Sequence, residues 1–271
     1  MTVPISRKIL FYILLMISAL VIFAPVIMAF VMSFMDNKDI MTGSLPQTLS
    51  FDNYVKAFEK FPLLKYLFNS LVVALVITFG QLVLSSLAAY AFVFLEFKGR
   101  DFLFFLFIAT MMVPFEASII PNFHIIRDLG WIDKYLGLTV PFFAMAFGTF
   151  LLRQNYKQIP KELREASLIE GMGDFKFFLK VVLPVSKTSL VTLGAYGFLT
   201  SWNMYLWPLL STTNDTVRTV QIGLKQLQNQ EQLNDWGMIM AGAIIVIIPT
   251  LVLLFLGQKK LQKGLTEGAI K

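Results

Sequence analysis

The chain has 271 residues, of which 56% are hydrophobic and 15% charged, with a net charge of +6 and a mean hydropathy of +0.69. An ordinary soluble protein carries about 25% charged residues, and 27 Phe are far more apolar surface than a disordered chain holds. Composition therefore excludes an ordinary soluble enzyme and points to a membrane protein, while the absence of Cys excludes disulfides, thiolate catalysis and Cys-based metal sites.

Six stretches, residues 9–35, 67–95, 102–121, 135–152, 181–210 and 236–257, are apolar enough to cross a hydrocarbon core of about 30 Å, which takes roughly 20 helical residues. A transmembrane strand would alternate polar and apolar residues, and Leu71-Val72-Val73-Ala74-Leu75-Val76-Ile77 does not. An all-α membrane protein of six transmembrane helices, one domain over residues 1–271, is predicted. Arg7 and Lys8 precede the first run as in a secretory signal, but that run exceeds a signal's apolar core and has no A-x-A-like cleavage site. It reads as an uncleaved first helix. Six spans put both termini on one side. With that side inside, 15 of the 23 basic and seven of the 17 acidic residues lie inside, so the two faces carry about +8 and −2. Both termini are expected in the cytoplasm, and the basic balance follows from topology without nucleic acid.

Polar groups within spans are costly and are the default candidates for a transport pathway. The second span carries Asn69, Ser70, Thr78, Gln81, Ser85 and Ser86, where Asn69 and Gln81 serve either the pathway or hydrogen bonds between helices. Glu116 follows Pro114 near the outer end of the third span and reads as solvated or paired. His124, the only histidine, has no second imidazole nearby and reads as a structural loop residue, not a metal ligand. The long outer loop, residues 36–65, reads either as a receiver for a partner protein or as a packed connector.

Residues 153–180 form the longest inside connection. Pro160 sits at a helix start, Glu162 and Glu165 suit the positive end of the helix dipole, Leu163, Ala166, Leu168 and Ile169 form an apolar stripe, and Gly171 and Gly173 offer a stop. An amphipathic helix over about residues 161–173 is predicted, either covering lipid headgroups or meeting a partner.

In the fifth span Trp202, Asn203, Tyr205 and Trp207 combine aromatic faces with an amide, a composition suited to a sugar ring. Trp202 and Asn203 suit a pathway or an interfacial aromatic belt equally, Trp207 reads as belt, and Pro208 predicts a kink. Apart from Lys187 near its inner end, the six predicted spans hold no Lys or Arg in their interiors, which favours a neutral ligand over a phosphorylated one.

Glu165-Ala166-Ser167-x-x-x-Gly171, followed after nine residues by Val181-x-Leu183-Pro184, resembles the E-A-A-x3-G-x9-I-x-L-P signature of permease subunits in binding-protein-dependent ABC importers. Ser167 for Ala and Val181 for Ile are the departures, and every spacing is kept. The runs at 201–210 and 264–269 resemble the carbohydrate-uptake branch, maltose-type and close to sugar and glycerol-3-phosphate permeases. The resemblance implies a type I importer fold in which the helix near 161–173 couples to an ATPase. Glu165 would make the charged contact, Ala166 and Ser167 would allow close approach, and Gly171 would turn the chain away. It implies a second homologous permease, two ATPase subunits and an extracytoplasmic solute-binding protein as partners, and a carbohydrate or related polyol phosphate as cargo in the bacterial plasma membrane.

The chain itself lacks a phosphate-binding loop: the only Lys followed by Ser or Thr is Lys187, preceded by Ser186 where the motif needs Gly. ATP and Mg are expected in the partner ATPase, with no cofactor and no catalytic residue here. A secondary carrier would show inverted repeats and a buried acidic site, and an intramembrane enzyme a Ser/His, paired-Asp or metal constellation; the sequence offers neither.

Overall fold

The computed structural model describes residues 5–46, 48–229 and 235–266. Lys271 and the Glu267-Gly268-Ala269 of the closing run lie outside the described residues. The sequence reads as one domain, but the contacts gather into two compact units: Met1–Leu64 with Gly223–Ile248, and Lys65–Ile222 with Pro249–Lys271.

Among the described residues three helices are long and apolar enough to cross a membrane, Arg7–Met32, Leu63–Phe94 and Trp236–Phe255, and the number rises to six if each of three bent helix pairs counts as one span. They belong to α1 (Ile5–Met32), α4 (Leu63–Phe94) and α15 (Trp236–Thr266). Between α1 and α4 lie two short helices, α2 (Asn37–Thr42) and α3 (Asp52–Lys60).

In the first unit the end of α1 is held by Asn53 of α3. The buried Asn53 amide donates to the carbonyls of Ser33 (3.0 Å) and Met35 (2.8 Å), two groups a helix end would otherwise leave bare. Phe34 packs edge-on to Phe51 at 5.1 Å, and Gly237 of α15 comes so close that a Cβ there would lie 2.4 Å from the Asn53 amide nitrogen. The most apolar stretch of α1 is wholly exposed, as suits a face turned to lipid.

In the second unit α4 is the spine, and its Asn69, Ser70, Thr78, Gln81, Ser85 and Ser86 are all buried. Around Val73 and Ile77 gather Ile119, Ile126, Leu138, Trp207 and Val217; around Ala89 and Tyr90 gather Leu152, Tyr156, Phe177, Phe178 and Leu193.

The spans predicted as 102–121, 135–152 and 181–210 are each broken. The first divides into α5 (Arg100–Ala109), a turn of 3-10 helix (Thr110–Met112) and α6 (Phe115–Asp128), bent by 98°. Pro114 has no N–H to continue the ladder and drives Val113 into the extended region (φ −85°, ψ 113°). His124 therefore stands, exposed, on helix α6 and not in a loop, and α6 runs on through Pro121.

The second divides into α7 (Tyr135–Thr139) with the 3-10 turn Val140–Phe142, and α8 (Ala146–Tyr156), bent by 44°. Two polar residues of α4 serve this break: Gln81 Nε2 donates to the Phe142 carbonyl (3.0 Å) and Ser85 Oγ to that of Met145 (3.4 Å). Broken helices are tolerated at membrane depth where protein satisfies the freed groups in this way.

After α9 (Lys161–Ile169), the third comprises α10 (Asp174–Phe177), a π-helical turn (Phe178–Val182), α11 (Leu183–Val185) and α12 (Lys187–Trp202), bent by 79° at Ser186. It stops at Trp202 and resumes as α13 (Leu206–Ser211), so the kink expected at Pro208 lies upstream at Asn203–Tyr205, with Pro208 inside α13. The Asn203 amide folds back onto the Leu199 carbonyl (2.8 Å) and closes the end of α12. The remaining helix, α14 (Val220–Asn229), precedes α15.

Candidate functional site

The signature residues occupy α9. Pro160 stands immediately before its first residue, and it ends at Ile169, short of the expected 173. The stop is a Schellman motif: Met172 N–H donates to Ser167 O (2.8 Å), Gly171 N–H donates to Leu168 O (3.0 Å), and Gly171 has φ +69°, a conformation costly for most residues with a Cβ.

The predicted apolar stripe is not the buried side of this helix. Ser167 is buried, its hydroxyl donating to the Arg164 carbonyl (2.7 Å), and Arg164 turns inward over the Phe177 ring, 4.8 Å from its centroid. Glu165 and Ala166 are exposed, and Leu168 and Ile169 keep 57% and 88% of their surface in the open. Phe175, at the start of the next helix, is 68% exposed. Exposed apolar side chains with the exposed carboxylates of Glu162, Glu165 and Glu170 among them, on a helix whose other side is fastened, have the composition of a docking face.

The candidate pathway residues are not brought together as one cluster. Asn69 has its amide committed: Nδ2 donates to the carbonyls of Thr216 (3.2 Å) and Arg218 (2.9 Å), and Oδ1 accepts from the Tyr135 hydroxyl (2.6 Å). Gln81 serves the helix break, and its Oε1 is buried without a partner, 2.5 Å from where a Cβ on Gly197 would stand. Trp202 is buried and stacks on Phe198 (5.8 Å between centroids, 14° between planes). Only Asn203, which is exposed, and Tyr205, half-buried, are open to a ligand. A groove of about 580 Å³ borders this region, lined by Leu75, Thr78, Gly194, Phe198, Pro249 and Leu253 among others. Its lining is mainly apolar.

Two readings are corrected. Trp207 is not an interfacial belt residue: it is fully buried, its indole N–H donates to Gly137 O (2.9 Å), and Phe142 and Phe115 pack edge-on to it at 5.8 and 6.1 Å. Arg153, read as part of the inside loop, lies in α8 and is 8% exposed, with its guanidinium 3.8 Å from the centroid of Phe104 and 3.6 Å from the Asp101 carboxylate. Glu116 stands exposed in the first turn of α6, where a carboxylate suits the helix dipole. Among the described residues no group of three or more His, Asp or Glu side chains could hold a metal ion.

The segment after α13 is fastened by Ser70 of the second span and otherwise by residues the sequence did not single out. Tyr66 donates to Asp215 (2.8 Å), Arg218 pairs with Asp215 (2.5 Å), and Ser70 Oγ accepts from the Val220 N–H (2.8 Å). Asp133, whose backbone is left-handed (φ +57°), accepts from the Thr213 hydroxyl (2.5 Å) and from the backbone N–H groups of Thr213 (2.7 Å) and Asn214 (3.2 Å). Asp is one of the few residues with a Cβ that tolerates that conformation, which is the one local signal that could have marked the position.

Partial burial pushes the Asp133 carboxyl up, but the Thr213 and Asn214 donors and the Arg218 guanidinium outweigh it and hold the group below its usual range. A carboxyl lowered in the folded state contributes stability above its unfolded pKa, and that contribution is lost as pH falls through the folded value. The Thr213 and Asn214 amides should keep their hydrogen-exchange protection at about pH 6 and lose it several-fold more than neighbouring amides once the pH is taken well below the ordinary carboxylate range, to about pH 2. The Asp133→Asn variant should abolish that difference. Protection in the wild type that ignores pH would contradict the assignment.

The sequence matches the family described as binding-protein-dependent transport system inner membrane component over residues 81–266. It is 38% identical over 275 residues to the sn-glycerol-3-phosphate transport system permease protein UgpE of Agrobacterium fabrum, with 97% of each chain covered. The protein of the same name from Rhizobium meliloti is 37% identical over 275 residues, again covering 97% of each. Among solved structures, a chain of a bacterial ABC transporter involved in the import of the acidic polysaccharide alginate superposes with a TM-score of 0.86 at 24% identity, over 96% of this chain and 99% of that one. A chain of a bacterial alginate ABC transporter in complex with an alginate pentasaccharide-bound periplasmic protein gives 0.69 at 16%, over 93% of each.

Proposed function

Because the chain belongs to the family of binding-protein-dependent transport system inner membrane components, and is a permease subunit of an ABC importer with the all-helical type I fold, we propose that it carries a carbohydrate inward by alternating access. It would do so paired with a second homologous permease, two ATPase subunits that use ATP and Mg, and an extracytoplasmic solute-binding protein. It would span the bacterial plasma membrane with both termini in the cytoplasm. The excess of basic residues on that face supports this orientation.

In this reading α9 is the coupling helix. Glu165 contacts the ATPase, Ala166 keeps the approach close, Gly171 turns the chain out of the partner's groove, and Leu168 and Ile169 supply apolar contact, while Ser167, expected beside Ala166 at that contact, is buried on the inward side and holds the helix. The supporting observation is the outward face of α9, apolar and left uncovered by the rest of the described chain. Asn203 and Tyr205, the two open groups at the break after α12, are the pathway residues best placed to touch a sugar hydroxyl, with Trp202 behind them as packing.

A neutral cargo is supported by the state of the cations. Arg153 is countered by Asp101 and Phe104, and Arg218 by Asp215, so neither offers a free charge to a phosphate. The names of the relatives favour a second reading, glycerol 3-phosphate or a related polyol phosphate. Uptake of neutral mono- and disaccharides and of glycerol 3-phosphate by the complete importer in proteoliposomes separates the two. Accumulation of a neutral sugar alone supports the first reading and accumulation of glycerol 3-phosphate alone the second; flux through this chain without an ATPase overturns both.

A further inference from the structure

We propose that Asp174, held between Arg164 and Tyr90, is the positioning residue that ties α9 to α4 and passes movement of the docking helix to the membrane-spanning part of the permease. The proposal rests on the reading of α9 as the coupling helix.

The chain of contacts is continuous. Arg164, on the inward side of α9, pairs through Nη2 with Asp174 Oδ1, and the Asp174 carbonyl and carboxylate accept from the Tyr90 hydroxyl at 2.9 and 3.4 Å. Tyr90 belongs to the buried part of α4 and packs against Phe94 (5.1 Å) and Phe178 (5.1 Å). The Arg164 guanidinium also lies over Phe177, a fully buried member of the same cluster. Arg164 Nη1 makes no hydrogen bond, so the guanidinium is held by the Asp174 carboxylate on one side and the Phe177 ring on the other.

The residues that touch a partner and the residues that hold the helix are therefore neighbours in sequence and opposite in direction. Glu165 faces out and Arg164 faces in, one residue apart on one turn. A force on the outer face must pass through what fixes the inner one: the Phe177 ring, which packs on Tyr90 and Phe94, and Asp174, the polar group that both Arg164 and Tyr90 reach.

Stability does not account for the arrangement. The side chain of Asp174 is 54% exposed and that of Arg164 23%, and pairs this open to solvent add little to folding. The pair gives direction, fixing the rotation and distance of α9 relative to α4, and it should be removable without unfolding the chain.

The test uses the complete importer in proteoliposomes, reading ATPase retention, ATP hydrolysis and substrate moved per ATP. Asp174→Ala and the isosteric Tyr90→Phe should retain the ATPase and hydrolyse ATP, while substrate moved per ATP falls about fivefold, the size of a coupling of about 1 kcal/mol. Exchanging the charges, Arg164→Asp with Asp174→Arg, should recover part of the loss. Unchanged stoichiometry in both single variants overturns the proposal. Loss of ATPase retention in step with transport also overturns it, because Asp174 would then belong to the docking surface. Failure of the coupling-helix reading itself would appear separately, as full ATPase retention and uptake by a Glu165→Lys importer.

Discussion

Glu165→Lys is expected to release the ATPase from the purified importer and to reduce substrate uptake to background, with the permease still inserted and folded. The side chain is exposed on α9, and surface changes of this kind alter stability by less than about 0.5 kcal/mol. Glu and Lys are also nearly equal as helix formers. The effect must therefore arise at the partner. Loss of an anchoring charge at the centre of a small contact costs about 2 kcal/mol or more, and reversal of its sign adds repulsion. Affinity should fall at least about thirtyfold. Glu165→Gln, which keeps the shape and removes the charge, should fall between the two. Co-purification and uptake measured together check the result, and a Lys variant that holds its ATPase and transports normally would remove α9 from the mechanism.

That expectation could be framed from the sequence because α9 is a local structure. Pro160 before it and Gly171 after it need no distant partner to act, and the Schellman bonds are made within six residues. Long apolar runs were legible for the same reason, and α1, α4 and α15 lie where hydropathy puts them. The breaks were not. The one between Phe142 and Ala146 is made tolerable by Gln81 and Ser85, some sixty residues away in sequence, and nothing in Val140-Pro141-Phe142-Phe143 announces that two side chains of α4 will satisfy its carbonyls. Asn69 shows the same limit at the candidate site. As a lone amide in a span it suited a pathway or an interhelical bond, and only the fold brings Thr216, Arg218 and Tyr135 to it. The inward side of α9 was hidden for a further reason: Arg164 looks like any basic residue of an inside loop until Phe177 and Asp174 are placed beneath it.

Trp207 offers the sharpest contrast between the two levels of reading, and its removal should cost the most stability. As a belt residue at a lipid interface it would be replaceable by Ala at a cost below about 1 kcal/mol. In the structure it is fully buried, contributes to the cluster of Val73, Ile77, Ile119, Leu138 and Val217, and donates to Gly137 O. Truncation of a buried Trp leaves a cavity that its neighbours fill only in part, and Trp207→Ala should destabilise the permease by about 3–5 kcal/mol. Trp207→Phe retains most of the packing against Phe115 and Phe142 and loses the indole bond, so about 1–2 kcal/mol is expected, set by the unpaired carbonyl. Denaturation of the purified importer distinguishes the cases. The loss should also reach transport, because α13 begins at Leu206, directly after the break that carries Asn203 and Tyr205, and a loosened α13 releases the C-terminal side of that break. Equal stability of the Ala and Phe variants would mean that the ring is not what holds α13 in place.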